Sequence, residues 1–471
     1  MLQFMIIGAV ILLLAVASSK VFYRFGVPSL LLFLVLGMVF GSDGIFGIGF
    51  DNFEAASKIC SIGLIFIMFF GGFGTNWKIA KPVATKAVLL STLGVGLTAL
   101  LTGLFCQLVL KTSLLEGFLI GSVLASTDAA SVFSILRSRN LNLKDGLASL
   151  LEIESGSNDP FSYMLTVIVI SIMTGNNQQP VLLLLGKQVI FAIVIGVILA
   201  LLAASVLRFI NLEIEGLYPI LVTAVVVLGY ALSEWVGGNG YLCVYIIGII
   251  LGNSKILHKR SLVHFFDGVS WLMQILLFFT LGLLSFPSQL HNVLVPGVLI
   301  SVFLIVAARP IATFAILTPF KVPFKSQLLV SWVGLRGAAS IVFAIFAVNS
   351  GALVNNDIFH IVFLVALLSV GLQGSLIPLI AKKLDLVEPD ISVFKTFNDY
   401  QDESLTKLVE VEIAPNSPWA GKNVMDANIP EEILVVMVKR GNKMLVPKGS
   451  TMIKVGDVMV LSGNSFDNIP M

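Results

Sequence analysis

The chain has 471 residues, 57% of them hydrophobic and only 12% charged, with a formal net charge of +2. That composition excludes a soluble enzyme or a basic nucleic-acid binder and describes a polytopic membrane protein. Cys60, Cys106 and Cys243 lie in or beside apolar runs without CxxC spacing, so they read as small packing residues rather than a metal or disulfide framework.

Thirteen spans are predicted, at about 2–19, 27–42, 59–75, 86–110, 115–136, 147–173, 181–207, 217–235, 239–253, 269–286, 293–317, 326–349 and 357–381. The first lacks a basic leader and is followed by Lys20 and Arg24, so it reads as a retained span with its N-terminus outside rather than a secretory signal. In that orientation the cytoplasmic loops also hold Lys78, Lys81, Lys86, Arg137, Arg139, Lys144, Arg208, Lys255, Lys259, Arg260, Lys321, Lys325, Lys382 and Lys383. The outer loops and edges hold only Lys58, Lys111 and Lys187. The asymmetry predicts a multi-pass protein of the cell membrane, plasma or bacterial inner, with a cytoplasmic C-terminal tail.

The fifth span breaks at Ala125-Ser126-Thr127-Asp128-Ala129-Ala130-Ser131, a run of small and hydroxyl residues. The twelfth carries Gly334-Leu335-Arg336-Gly337-Ala338-Ala339-Ser340 at the corresponding place if the spans divide as six, one and six. An odd linking helix inverts the second six relative to the first, an arrangement typical of transporters, whose sites sit at the midplane where helices break. The predicted fold is therefore all-α and polytopic, a six-plus-six inverted repeat with broken crossing helices. The symmetry rests on span count and charge placement, not on repeated letters.

In the sixth span Leu150 to Pro160 runs straight into the apolar stretch Phe161 to Met173, which places carboxylates inside the membrane. A charged side chain there costs roughly 3 kcal/mol on insertion scales, so it faces a cavity, pairs, or carries an ion or a proton. Ser155 and Asp159 are i and i+4, as are Glu154 and Asn158, and Pro160 frees a carbonyl one turn earlier. Counting from the basic loop at ~1.5 Å per residue puts Asp128 and Asp159 at about the bilayer midplane. Thr127, Asp128, Ser155, Asn158 and Asp159 thus share a level, and their oxygens suit a hard monovalent cation held at Asp159. One carboxylate can hold either a proton or a cation. If the two compete for Asp159, alternating access gives obligatory exchange that slows at low pH. Asp128 stands where a half-helix N-terminus carries partial positive charge; ion contact and dipole compensation are both open roles for it. Glu154 and Arg336 are the expected buried ion pair. Glu152 and Arg309 are expected to snorkel or pair near the cytoplasmic side, and His258, His264, His291 and His360 to be surface or edge residues, with pH sensing as the alternative role.

After Lys383 the composition turns polar. Residues 384–403 read as a linker and 404–471 as a small α+β domain, with strands in 405–413, 433–439, 443–446 and 455–461 and a hairpin turn at Arg440-Gly441-Asn442.

Residues 1 to about 383 resemble the cation:proton antiporter superfamily, in its NhaP and sodium/proton exchanger branch. The match is carried by Arg24-Phe25-Gly26-Val27-Pro28, Ser126-Thr127-Asp128-Ala129-Ala130, Glu154-Ser155-Gly156-Ser157-Asn158-Asp159-Pro160 and Gly334-Leu335-Arg336-Gly337-Ala338. The resemblance implies a homodimer in which a six-helix core domain moves against a dimerisation domain. It also implies that Asp159 is the shared carboxylate, with Ser155, Thr127 and Asp128 around the ion, and that Glu154–Arg336 is a structural pair. Asn158-Asp159 in place of two aspartates implies electroneutral exchange. Phe69-Phe70-Gly71-Gly72 stands where many relatives carry a glutamate, a departure that removes an ion contact from the third span.

The tail is similar to the RCK C-terminal (TrkA-C) domain of potassium/proton antiporters, on Pro415-Asn416-Ser417-Pro418-Trp419-Ala420-Gly421-Lys422, Val438-Lys439-Arg440-Gly441 and Gly456-Asp457. This turns the expected cation towards K+, with Na+ or Li+ as the alternative, and makes a nucleotide such as cyclic di-AMP a candidate tail ligand. No cofactor is implied. An intramembrane aspartyl protease also uses two aspartates on adjacent spans, but Asn158 and Thr127 stand where its motifs need Gly and Tyr.

Overall fold

The computed structural model describes residues 6, 8–17, 29–139, 141–175, 179–352, 354–388, 407–415, 417–430, 433–441 and 443–463. Residues 2–5, 7, 18 and 19 of the first predicted span, the basic pair Lys20 and Arg24, the Arg24–Pro28 stretch, most of the predicted linker, Asn416 of the tail motif and Asn442 of the predicted turn lie outside them. The chain forms two compact units, Met1–Asn398 and Asp399–Met471.

The first unit is helical throughout. Its elements are α1 Gly8–Ala17, α2 Ser29–Phe40, α3 Phe53–Gly74, α4 Trp77–Val109, α5 Leu114–Val123, α6 Ala129–Ser138, α7 Leu147–Met173, α8 Val181–Phe209, α9 Leu217–Trp235, α10 Gly240–Asn253, α11 Lys259–Leu284, α12 Leu294–Leu317, α13 Phe324–Trp332, α14 Ala338–Asn349 and α15 Ile358–Lys383. Among the described residues, seven helices are long and apolar enough to cross a membrane alone. α7 is as long, with 27 residues, but carries too many polar groups to count among them; others are shorter, and α5/α6 and α13/α14 are the halves of the two runs expected to break. The helix starts follow from capping: Asn52, Ser113, Asn239 and Asp357 each accept a backbone N–H of the first turn of α3, α5, α10 and α15. Three long helices carry one wide turn each, Leu90–Gly94 in α4, Leu304–Ala308 in α12 and Ser369–Gln373 in α15. Such π-turns rotate the faces on either side and recur at functional sites.

The helices pack in two groups. In one, α2, α3, α8, α9, α10 and α11 lie together; in the other, α4 to α7 lie with α12 to α15. Small residues set the closest crossings, because apolar lipid supplies no hydrophobic drive and backbones associate by contact. A Cβ on Gly248 would meet the Phe69 carbonyl at 2.3 Å, and one on Gly282 the Leu34 carbonyl at 2.0 Å, which fixes α10 on α3 and α11 on α2. The groups meet along α7, α10, α3 and α14.

Residues just past Lys383 belong to this unit rather than to a linker. Lys144 N–H donates to the Leu386 carbonyl at 3.0 Å, Glu388 N–H to the Asn142 carbonyl at 3.0 Å, and the Lys144 ammonium reaches Asp385 at 3.2 Å.

The second unit is a four-stranded antiparallel sheet of β1 Lys407–Glu412, β2 Ile433–Arg440, β3 Lys443–Leu445 and β4 Val458–Gly463, in the order β1-β4-β2-β3. Trp419, Val438, Ile453, Met459 and Leu461 fill its core. Beyond the strands its described residues hold a single 3₁₀ turn, Val424–Asp426, so the helical part expected of an α+β domain is not found among them. Arg440 donates to both oxygens of Asp457 at 2.7 and 2.6 Å and locks the β2 end to the turn before β4.

Candidate cation-binding site

The two broken runs cross at their breaks. Asp128 N–H donates to the Leu335 carbonyl at 2.8 Å, and Arg336 Nη1 donates to the Ser126 carbonyl at 2.8 Å. Backbone left open by each broken helix is thus partly satisfied by the other, as non-helical backbone at membrane depth requires. Asp128 caps α6: its carboxylate accepts the Ser131 N–H at 3.2 Å and the Ser131 hydroxyl at 2.6 Å. It sits so close to the opposite break that a Cβ on Gly337 would lie 2.4 Å from its Oδ2. Gly337 is therefore required by the approach of a carboxylate.

Asp159 comes to this crossing from α7. The Ser126 hydroxyl donates to its Oδ1. The Ser155 hydroxyl donates to the Thr127 carbonyl at 2.7 Å and ties α7 to the unwound stretch. Ser126, Thr127, Asp128, Ser155 and Asp159 all line one cavity of about 600 Å³. The cavity runs from the crossing past Ser134, Ser138, Glu152 and Asp267, towards the ends of α6, α7 and α11 that adjoin the basic loops. The end of α3 that departs from the resemblance, with Phe70 and Gly71, forms part of its wall.

Asn158, expected among the ion ligands, is fully buried; its amide donates to the Thr127 hydroxyl and, at 3.4 Å, to Glu154. It ties Thr127 to α7, and its own Oδ1 has no hydrogen-bond partner among the described residues. One expected pairing is corrected by the geometry. Glu154 does not pair with Arg336. Its partner is Arg309, whose Nη2 donates to Oε2 at 2.8 Å with both side chains almost wholly buried. Arg309 was expected to snorkel or pair near the cytoplasmic side; it pairs, and the wide turn Leu304–Ala308 immediately before it turns it inwards to α7. Arg336 instead braces the break, its own N–H donating to the Ser369 hydroxyl at 3.0 Å. Gly334 leaves room for Arg309, since a Cβ there would lie 2.7 Å from the guanidinium Nε.

The sequence reading also left Ser126 out of the site, although its place beside Thr127 and Asp128 in the unwound run was the available signal.

This geometry is matched by kinship. The profile of the family described as sodium/hydrogen exchanger, transmembrane, matches residues 9–383, and that of the TrkA-C domain matches 408–467. The chain belongs to the sodium/hydrogen exchanger family. It is a secondary transporter of a monovalent cation against protons, embedded in the membrane by many passes, and not an enzyme. Among curated relatives, the K(+)/H(+) antiporter NhaP of Alkalimonas amylolytica is 35% identical over 98% of this chain and 81% of its own length. The K(+)/H(+) antiporter NhaP2 of Shewanella sp. (strain ANA-3) is 34% identical over the same shares, 98% and 81%. The solved sodium proton antiporter MjNhaP1 of Methanocaldococcus jannaschii superposes with a TM-score of 0.71 at 27% identity, covering 82% of this exchanger and 99% of that chain.

Proposed function

We propose that this exchanger carries K+ against H+ across the cell membrane, one for one, by alternating access, and that Asp159 is the single carboxylate on which the two ions take turns. The observation that carries the reading is the charge balance around the crossing. Asp128 and Asp159 line the cavity at the crossing, Glu154 is taken up by Arg309, and Arg336 lies against the Ser126 carbonyl, so among these five groups three carboxylates stand against two guanidiniums and one negative charge is left over. Uncompensated charge at membrane depth is costly, so the site is neutral when it holds one proton or one monovalent cation and strained when it holds neither or both. That is the logic of strict exchange without a second proton site. Ser126 orients the carboxylate, Ser155 and Thr127 offer oxygens beside it, and Asn158 and the Glu154–Arg309 pair hold the frame.

The helices fit thirteen crossings arranged as six, one and six. In that register α4 and α12 correspond, and both carry a wide turn; α5/α6 and α13/α14 correspond, and both are broken. With the basic loops inside, the cavity opens to the cytoplasm and the N-terminus lies outside. The preference for K+ over Na+ rests on the TrkA-C tail and on relatives that carry the name K(+)/H(+) antiporter. As in the resemblance drawn from sequence, the working unit is a homodimer, and the tail takes a regulatory ligand for which cyclic di-AMP is the first candidate.

The test is dissipation of an imposed pH gradient in proteoliposomes on adding K+, Na+ or Li+. K+ is expected to collapse the gradient at the lowest concentration, with Asp159→Asn inert towards all three. Equal responses to K+ and Na+ would remove the K+ assignment while leaving the exchange mechanism.

A further inference from the structure

On the face opposite the cavity mouth, the two helix groups are joined by a contact that depends on the charge of one histidine. His360 lies in the first turn of α15, its side chain 4% exposed. Its Nδ1 lies 2.5 Å from Asp357 Oδ2, and its Nε2 lies 3.1 Å from the backbone nitrogen of Phe286, just past the end of α11. A backbone N–H can only donate. Nε2 must therefore present its lone pair, Nδ1 must carry the proton, and the ring is neutral.

We propose that His360 is a proton-operated latch on the outer gate: neutral, it ties α15 to α11 and keeps the cation site shut from outside; protonated, it lets go. Protonation places an N–H on Nε2, so two donors face each other and the bond to Phe286 is lost. Asp357 accepts from Nδ1 in either form, so that contact stays. The latch stands beside the other outer contacts between the groups. Asn349 at the end of α14 donates to the Phe53 carbonyl of α3 at 2.9 Å, and the Phe359 ring packs edge-on against Phe53 with centroids 5.3 Å apart. Ser288, two residues after Phe286, donates its amide to Asp43 at 3.0 Å, and its hydroxyl to the same oxygen, which pins the loop that carries the Phe286 amide.

Among the described residues, the charged groups facing His360 are Asp357 from its own helix cap and Asp43 from the turn after α2; α11 presents a backbone amide. Hydrogen bonds from the Ser288 hydroxyl and amide hold the Asp43 carboxyl below the usual carboxylate range. Asp43 therefore stays ionised near neutral pH and keeps accepting from Ser288 in both forms of the ring. The sign follows from the geometry: a proton on Nε2 removes the acceptor for the Phe286 amide, so acid outside opens the latch and alkaline outside closes it. A proton arriving from the side with more protons thus helps turn the site towards that side. The inference rests on the alternating-access reading above.

The test uses the full chain carrying Val362→Cys, a fully buried position two residues further along α15. The native Cys60, Cys106 and Cys243 are buried, so background labelling by an impermeant methanethiosulfonate applied from outside is low. In His360→Gln the amide can accept from Phe286 and donate to Asp357 without titrating, so its labelling changes with pH only through the thiol's own ionisation. The parent rate divided by the His360→Gln rate at the same pH, in which that ionisation cancels, is expected to be about 2- to 10-fold higher at acid than at alkaline outside pH, the shift that one ordinary hydrogen bond supports. In His360→Ala the latch is open at both, so the parent rate divided by the His360→Ala rate is expected to fall on going to alkaline pH, which keeps the idea testable if the glutamine variant does not accumulate. Ratios that do not change with pH overturn the latch. Antiport measured on the same preparations separates the two readings: no antiport at all defeats the exchanger, whereas antiport with unchanging ratios defeats only the latch.

Discussion

Replacing Arg309 by methionine strands Glu154 in the interior. The two side chains are 3% and 1% exposed and their contact is 2.8 Å. Removing one member of a buried pair typically costs about 3–5 kcal/mol, because the charge left behind has neither water nor a partner. With an unfolding entropy of about 2.1 cal/mol/K per residue over the unit ending at Asn398, that loss lowers the thermal midpoint by about 4–6 °C. Glu154→Gln combined with Arg309→Met removes both charges and should recover most of the loss, giving a coupling of several kcal/mol. The same cycle with Arg336→Met should give a clearly smaller coupling, because Arg336 spends a donor on the Ser126 carbonyl at 2.8 Å rather than on Glu154. The assay is thermal unfolding of the purified full chain in detergent at one scan rate. Additive losses for Glu154 and Arg309, with strong coupling between Glu154 and Arg336 instead, would falsify the pairing described here.

Gly337→Ala pushes a methyl to 2.4 Å from the Asp128 carboxylate, so the helix crossing must shift; antiport in vesicles should fall at least about tenfold, since small displacements of reacting groups are expensive. Gly186→Ala on α8, which meets nothing within 4 Å, should transport like the parent, and equal rates for the two variants would remove the steric argument. In the tail, hydrogen bonds from Arg440 hold the Asp457 carboxyl well below its usual range. A carboxyl depressed on folding stabilises fully above the unfolded value of about 3.9 and loses that contribution as pH falls through the folded one. Limited proteolysis of the tail in the full chain should therefore be slow and flat from neutral pH down to about 4 and accelerate below it. Asp457→Asn should cleave roughly 3- to 10-fold faster at pH 7, a modest factor because the Arg440 side chain is a third exposed; unchanged cleavage would show the pair to be dispensable.

Much of this was legible in the letters because membrane insertion leaves few options. Runs such as Ser126-Thr127-Asp128 and Gly334-Leu335-Arg336-Gly337 cannot continue an apolar helix cheaply, so the breaks announced themselves, and a carboxylate ahead of Pro160 with no exit to water announced the site. What stayed hidden depended on helix rotation. Arg309 sits in a continuous apolar run whose period gives no hint of the wide turn at Leu304–Ala308, and that turn decides whether the guanidinium points to lipid, to the loop or to Glu154. The contact of Asn158 was hidden for a related reason: i and i+4 spacing puts it on the strip next to Asp159 but cannot say that its amide would meet the Thr127 hydroxyl. His360 read as an edge residue because its partner, a backbone amide 74 positions away, leaves no trace in composition.

The central claim, one seat for two ions, is tested most directly by the half-saturating K+ concentration of reconstituted protein as pH is lowered. One-site competition predicts a rise approaching tenfold per pH unit on the acid branch, with the maximal rate unchanged and with Asp159→Asn silent throughout. Half-saturation indifferent to pH, or an Asp159→Asn variant that still exchanges K+ for protons at the parent rate, would contradict it.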